Sequence, residues 1–276
     1  MRQTIEEMTP ATYGLIENDK KENDLFVASL AKGFLVLECF RNQREGLTLT
    51  EITVQSKIGK SAAQRAVATL HKIGYLAKNE RTKTYRLSPK ILTLCWDYLS
   101  GSDLSSTAMP FVRQLSERFG ETVNLSERID DQLVVIGRSP GKQVLTINVG
   151  IGTRYPLIST APGLVLLAFS PESQMKEFIE AVDLVRWTDH TVMDKAQLSD
   201  WIGQIRMEGF AIANQQMHEG EISMAAPIML NDSTDAIAVI NMSVPTSRWN
   251  FEDAHSELAP AVAQTACSIS KALSQL

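Results

Sequence analysis

Long apolar runs are missing from this 276-residue sequence. None approaches the roughly 20 residues that a helix needs to span a bilayer. The first residues, Met1 to Glu7, also lack the basic-then-apolar order of a secretory signal. A cytoplasmic setting with no membrane association is expected. Cysteine is scarce, with three residues (Cys39, Cys95 and Cys267) that are widely separated in apolar helical patterns. They read as small packing residues of a reduced compartment rather than as a disulfide framework. The four histidines, His71, His190, His218 and His255, are far apart and lack ligand spacing, so no metal and no other cofactor is expected.

Catalytic fingerprints are absent too. No Gly-x-Ser-x-Gly elbow occurs. Gly59-Lys60-Ser61 imitates the end of a phosphate-binding loop, but Val54 stands where its first glycine belongs. Gly150-Ile151-Gly152 leads to Tyr155 where a dinucleotide fingerprint needs a third glycine. The expectation is a protein that is not an enzyme. Two alternatives stay open: a small-molecule-binding enzyme, and an interaction module whose winged helix does not touch DNA.

What the sequence does have is charge asymmetry. Net charge is −5, yet residues 1–90 hold 15 basic against 10 acidic side chains, and the remainder 12 against 22. Within 55–90 nine basic residues face one acid, Glu80. Such a division suits one domain that meets a polyanion and another that does not. Hydrophobic residues at 44% allow two packed cores.

The pattern along the chain divides it into a polar arm (1–23), a first domain (24–88), a linker helix (89–101) and a second domain (102–276). Val27, Leu30, Phe34 and Leu37 recur at spacings of three, four and three, which predicts an amphipathic helix with that stripe inward. Thr48-Leu49-Thr50-Glu51 has capping-box spacing and starts a short helix ending near Ser56. After Lys57-Ile58-Gly59 a third helix runs from about Lys60 to Ile73, with Ala63, Val67 and Leu70 inward and Gly74 as its stop. Tyr75–Lys78 and Thr84–Leu87 read as strands of a basic hairpin. Ser88-Pro89 opens the linker helix through Leu99.

Three helices followed by a basic hairpin make a winged helix-turn-helix. Lys57, Lys60, Ser61, Gln64 and Arg65 are the candidate DNA contacts of the recognition helix and the turn before it. Gln pairs with adenine and Arg with guanine through two bonds each. Arg81, Lys83 and Arg86 of the wing would neutralise phosphates, which positions the domain without reading sequence.

Beyond Gly101, a helix near 104–119 precedes strands at 122–126 and 133–138, a strand at 144–149, and a helix near 162–169. Helices over 172–182 and 195–208, strands at 210–214, 223–230 and 236–244, and a helix over 252–274 follow. Mixed elements without strict βαβ alternation predict an α+β domain with a largely antiparallel sheet. Asn241 and Ser243 alternate with Ile240, Met242 and Val244, so they share one strand face. That face either meets solvent, which the residues alone favour, or lines a polar pocket.

Several segments together resemble the IclR-type regulators: Ser29–Gly33, Lys60–Arg65, His71–Leu76, Tyr85–Pro89, Gly152–Pro156, Thr160–Gly163, Leu166–Ala168, Gly209–Ala211, Ala225–Pro227, and Ser243–Pro245 with Arg248. The resemblance runs from about residue 25 to the end. Asp24–Phe40 and Tyr98–Ser100 look most like the aromatic-acid catabolism subgroup. It implies a GAF-like effector domain and a regulator that binds double-stranded operator DNA. It places ligand contacts at the Thr160-Ala161-Pro162-Gly163 turn, Ser223, Asn241 and Ser243. The sequence departs from the family at Ala213, a position often acidic, at Ser223, often cysteine, and at Gln216, often Glu.

These departures remove negative charge and leave room for a small organic acid, an aromatic carboxylate above all. Arg138 and Arg154 are the candidate carboxylate partners: Arg154, with the hydroxyls of Tyr155, Thr160 and Ser243, is the first choice and Arg138 the second. For the two arginines a surface ion pair with Asp130 or Asp131 is the competing reading. A dimer, or a dimer of dimers, is expected because paired half-sites supply affinity that one winged helix lacks.

Overall fold

The computed structural model describes residues 25–41, 43, 45–142, 149–231 and 233–276. They form two compact units, divided between Tyr98 and Leu99.

The first unit holds α1 (Ala28–Glu38), α2 (Leu49–Gln55), α3 (Lys60–Lys72) and an antiparallel hairpin of β1 (Leu76–Lys78) and β2 (Tyr85–Leu87). The capping box of α2 forms in full: Thr48 Oγ1 accepts from the Glu51 N–H, and the Thr48 N–H donates to Glu51 Oε2 at 2.7 Å. Ala63, Val67 and Leu70 are buried, as their spacing requires. Gly74 takes φ +85°, the left-handed conformation that ends a helix and that glycine adopts without strain.

The inward face of α1 differs from the expected one. Val27, Leu30 and Phe34 are 57, 61 and 54% exposed, while Leu35, Val36 and Phe40 enter the core with Val67 and Leu76. The helix carries apolar residues around most of its circumference, so spacing identifies a helix without selecting its packed side. The linker helix α4 (Ile91–Ser100) has no buried residue in the described chain and exposes Leu92, Leu94, Trp96 and Tyr98.

The second unit begins with α5 (Asp103–Phe119) and contains β3 (Thr122–Ile129), β4 (Gln132–Ser139), β5 (Arg154–Pro156), α6 (Ala161–Ala168), α7 (Glu172–Ala181), α8 (Lys195–Glu208), β6 (Ala211–Asn214), β7 (Glu221–Met229) and β8 (Ala236–Pro245). Six strands form one sheet in the order β5-β4-β3-β8-β7-β6, with every described pair antiparallel. The strand expected at 144–149 lies outside the described residues except for Val149. The short edge strand β5 was not anticipated, because three residues carry no readable alternation.

Both faces of the sheet are covered. Val123, Leu125, Ile240 and Met242 pack against α5 and the C-terminal helix α10 (Ala259–Leu273). Leu133, Ala225 and Val239 pack against α6 and α8. The expected single C-terminal helix is interrupted. A short α9 (Phe251–Asp253) runs into a π-helical turn at Ala254–Leu258 before α10. Pro260 has no N–H for the carbonyl four residues back, and its ring crowds that carbonyl, so the ladder widens just before it.

Candidate functional site

In the first unit, every candidate DNA contact is on the surface: Lys57, Lys60, Ser61, Gln64, Arg65, Arg81, Lys83 and Arg86 are all exposed. Lys57 sits in the turn between α2 and α3 with φ +53°. Lys60, Ser61, Gln64 and Arg65 occupy the first two turns of α3, away from the Ala63–Val67–Leu70 stripe. In the wing, Asn79 Oδ1 accepts from the N–H groups of Arg81 and Thr82, which fixes the loop. Glu80 contacts Lys78 at 3.0 Å and Lys83 at 3.1 Å. Hydrogen bonds from these two ammonium groups hold its carboxyl below the usual range. Part of the wing's positive charge is therefore already compensated.

In the second unit, a cavity opens between the sheet and the start of α6. Thr122, Asn124 and Ser126 of β3 line it, alternating with Val123 and Leu125, which point to α5. Asn241, Ser243 and Ser223 continue this polar floor across β8 and β7. The solvent reading of Asn241 and Ser243 is thereby corrected. Both are buried, because helices cover both faces of the sheet. Their contacts with Ser223 are long, 3.5 and 3.4 Å, and so leave hydrogen-bonding capacity unspent. Ser126 Oγ and His218 Nε2 are buried without a hydrogen-bond partner among the described residues. Unsatisfied polar atoms on a cavity wall are costly unless water or a ligand reaches them.

Arg138 reaches the cavity through a β-bulge. Ser126 pairs with Val135 and Leu125 with Gly137, so Ile136 is an extra residue in β4. Leu133, Val135 and Arg138 line the cavity, whereas Ile136 and Gly137 face α5, where a Cβ on Gly137 would meet Met109. The guanidinium donates to Asn124 Oδ1 at 3.1 Å, and burial lowers its pKa. No ion pair joins Arg138 to Asp130 or Asp131 among the described residues, so the surface-pair reading of Arg138 does not hold.

Tyr155 also lines the cavity, and its phenol is pushed up to about 12, mainly by burial. Arg154, its neighbour on β5, is not among the lining residues. Strand alternation sends its side chain to the opposite face. Thr160 and Ala161 border the cavity, but the Thr160 hydroxyl is already engaged. It donates to the Pro156 carbonyl at 3.0 Å and accepts from the Gly163 N–H at 3.2 Å. Gly163 does not line the cavity either. It lets α6 approach Leu157, whose carbonyl oxygen would lie 2.0 Å from an added Cβ. The positive end of the α6 dipole faces the cavity, with Ala161 as its first residue.

Ala213 and Gln216 line the cavity, as does Glu221, which sequence reasoning missed. The signal was present, since Glu221 stands two residues before Ser223 and shares its strand face. The site therefore retains an acid despite the departures at 213 and 216. Gln216 is held in place by its amide. Oε1 accepts from the Val192 N–H at 2.9 Å and Nε2 donates to the His190 carbonyl at 2.6 Å. A glutamate could not make the second bond.

Comparison with known proteins gives a consistent picture. Residues 29–80 match the IclR helix-turn-helix domain, and residues 96–271 match the bacterial transcriptional regulator IclR C-terminal domain. The Pca regulon regulatory protein of Pseudomonas putida is 30% identical over 236 residues, 85% of this chain and 80% of that protein. The p-hydroxybenzoate hydroxylase transcriptional activator of Acinetobacter baylyi is 27% identical over 246 residues, 87% of this chain and 90% of that protein. Among solved structures, a Rhodococcus sp. RHA1 protein described as a candidate transcriptional regulator has a TM-score of 0.78 at 32% identity, covering 91% of this chain and 99% of that one.

Proposed function

Because this chain belongs to the IclR family of transcriptional regulators, we propose that it binds operator DNA under the control of a small organic acid, an aromatic carboxylate. The winged helix-turn-helix (24–88) makes the DNA contact through α3 and the wing. The helix at 89–101 links it to the effector domain (102–276). The protein acts in the cytoplasm and regulates transcription rather than catalysing a reaction.

The observation that carries the ligand reading is the aim of Arg138. A bulge turns a guanidinium into a polar cavity that borders a helix N-terminus, and no carboxylate of the chain pairs with it among the described residues. Burying a cation without a counter-charge is costly, and a ligand carboxylate removes that cost. The names of two relatives, a Pca regulator and a p-hydroxybenzoate hydroxylase activator, point the same way.

The exposed apolar surface of α4 supports self-association, as a dimer or a dimer of dimers. An effector then alters DNA affinity only to the extent that it prefers one arrangement of the paired domains. Calorimetry with a panel of benzoic acids tests the ligand reading. Arg138→Gln should weaken binding at least tenfold, and Arg154→Ala, outside the cavity, should leave it unchanged. Full affinity in the Arg138 variant, or binding of neutral compounds only, would refute it.

A further inference from the structure

The cavity carries charge of both signs. Among the described lining residues, Arg138 and Glu221 are the one guanidinium and the one carboxylate. They do not pair with each other, and no hydrogen bond or ion pair engages the Glu221 carboxylate among the described residues. β3 and β8 stand between their strands, and Arg138 is in register with Ala225 rather than Glu221, so their backbones lie on the order of 14 Å apart across the strands and about 13 Å apart along them. Arg138 occupies the β4–β3 side with Asn124. Glu221 opens β7, next to the β6–β7 turn that carries His218, whose Nε2 has no hydrogen-bond partner among the described residues.

We infer that the effector is bipolar: a carboxylate held at Arg138 and, at its far end, a hydrogen-bond-donating group, hydroxyl or amino, received by Glu221. This rests on the anion reading of Arg138 and adds a selectivity to it. A ligand with a bare apolar end would bury the Glu221 carboxylate against carbon, which costs the solvation of a charge with nothing in exchange. A ligand with a second acid would meet like charge there. A donor satisfies the carboxylate through a charge-assisted bond and leaves His218 Nε2 within the same polar end. Tyr155 supports the layout, because its phenol responds to both poles. The Glu221 charge pushes it up and the Arg138 charge pulls it down, beneath the larger effect of burial.

A recognition site built around a donor discriminates strongly against analogues that lack it, since its own polar groups are then left unpaired. Glu221 is in this sense the specificity-determining residue, and Arg138 the anchor.

The test is calorimetry on the full chain with benzoate, 4-hydroxybenzoate, 4-aminobenzoate, terephthalate and phenol. The wild type is compared with Glu221→Leu and with the near-isosteric Glu221→Gln, each checked for an unchanged thermal transition. Wild type should bind 4-hydroxybenzoate or 4-aminobenzoate at least tenfold more tightly than benzoate, and terephthalate least. Glu221→Leu should bring the ratio of donor-bearing acid to benzoate close to one, mainly by loss of affinity for the donor-bearing acid. Glu221→Gln should keep part of the hydroxyl preference through its amide oxygen and tolerate terephthalate better. Equal wild-type affinity for benzoate and its donor-bearing analogues would overturn the inference, as would a preference that survives Glu221→Leu. Phenol separates the two readings. If phenol binds as tightly as 4-hydroxybenzoate, the anion site itself fails. If the carboxylate is required and the hydroxyl makes no difference, only the assignment of Glu221 fails.

Discussion

The guanidinium of Arg248 clasps the buried carboxylate of Glu121 from two sides. Nε donates to Oε1 at 3.0 Å and Nη2 contacts Oε2 at 2.5 Å, while the Trp249 indole N–H also donates to Oε1 at 2.9 Å. This ties the residue before β3 to the segment between β8 and α9, 127 positions away in sequence. The glutamate side chain is 4% exposed and the arginine side chain 30%. Removing the cation leaves a buried charge. Arg248→Ala is expected to cost about 3 kcal/mol, the low end for a broken buried pair because water partly reaches the arginine. Denaturant unfolding measures this, and a midpoint equal to wild type would contradict it.

Gly163 is a packing requirement, not a ligand contact. A methyl group there meets the Leu157 backbone, which cannot swing away as a side-chain tip would. Gly163→Ala should destabilise the effector domain by about 3 kcal/mol, the upper range for overpacking. It should also displace Thr160 and Ala161 at the cavity mouth. Thermal unfolding is the measurement, and an unshifted transition would show that α6 moves freely.

On the DNA side, Arg65→Ala should lose about 1–3 kcal/mol and relax base preference if Arg65 reads a base. Lys83→Ala should weaken all sequences alike and lower the salt slope by about one. Glu80→Gln adds a test that the wing geometry supplies. It frees Lys78 and Lys83 for phosphate, so operator affinity and salt slope should both rise. Fluorescence anisotropy over a salt series reads all three. A fall in affinity for Glu80→Gln would mean that Glu80 serves to shape the wing.

Tyr155 is expected to stay a neutral phenol well beyond the usual range, with its pKa near 12. The unfolded chain loses this proton around pH 10. Between the two values the folded state binds more protons than the unfolded, so Tyr155 makes stability fall as pH rises through that interval. It has no such effect below pH 10. The difference in ultraviolet titration between wild type and Tyr155→Phe should show this phenol ionising late. An ordinary midpoint near 10 would place Tyr155 in water.

The winged helix-turn-helix was readable because its signals are local: a capping box at Thr48 and Glu51, a stripe through Ala63, Val67 and Leu70, and a stop at Gly74. The packed side of α1 was not, because its apolar residues leave several sides open to burial. In the effector domain, period two correctly grouped Asn241 with Ser243. Whether that face met solvent depended on α6 and α8, which come from distant sequence. Arg154 and Tyr155 were candidates together, yet adjacent residues on a strand without a bulge do not both face one cavity. Gln216 was read by charge alone, whereas its role comes from both halves of its amide, held by a backbone 24 to 26 residues earlier.

The extra residue in β4 has an evolutionary consequence. Face assignment along a strand is a matter of parity, and Ile136 reverses it for everything that follows in β4. Deleting the extra residue would heal the bulge and leave Arg138 opposite Asn124, on the cavity face. Regular pairing of the strand at its present length would instead carry Arg138 to the α5 side and bring Gly137 round in its place, exchanging a cation for a glycine while the codon for the arginine stays. Loss of this bulge at constant length is thus a route by which related regulators could change the charge of the compound they answer to. A search for relatives adapted to uncharged effectors would ask first whether this strand keeps its bulge, before its composition.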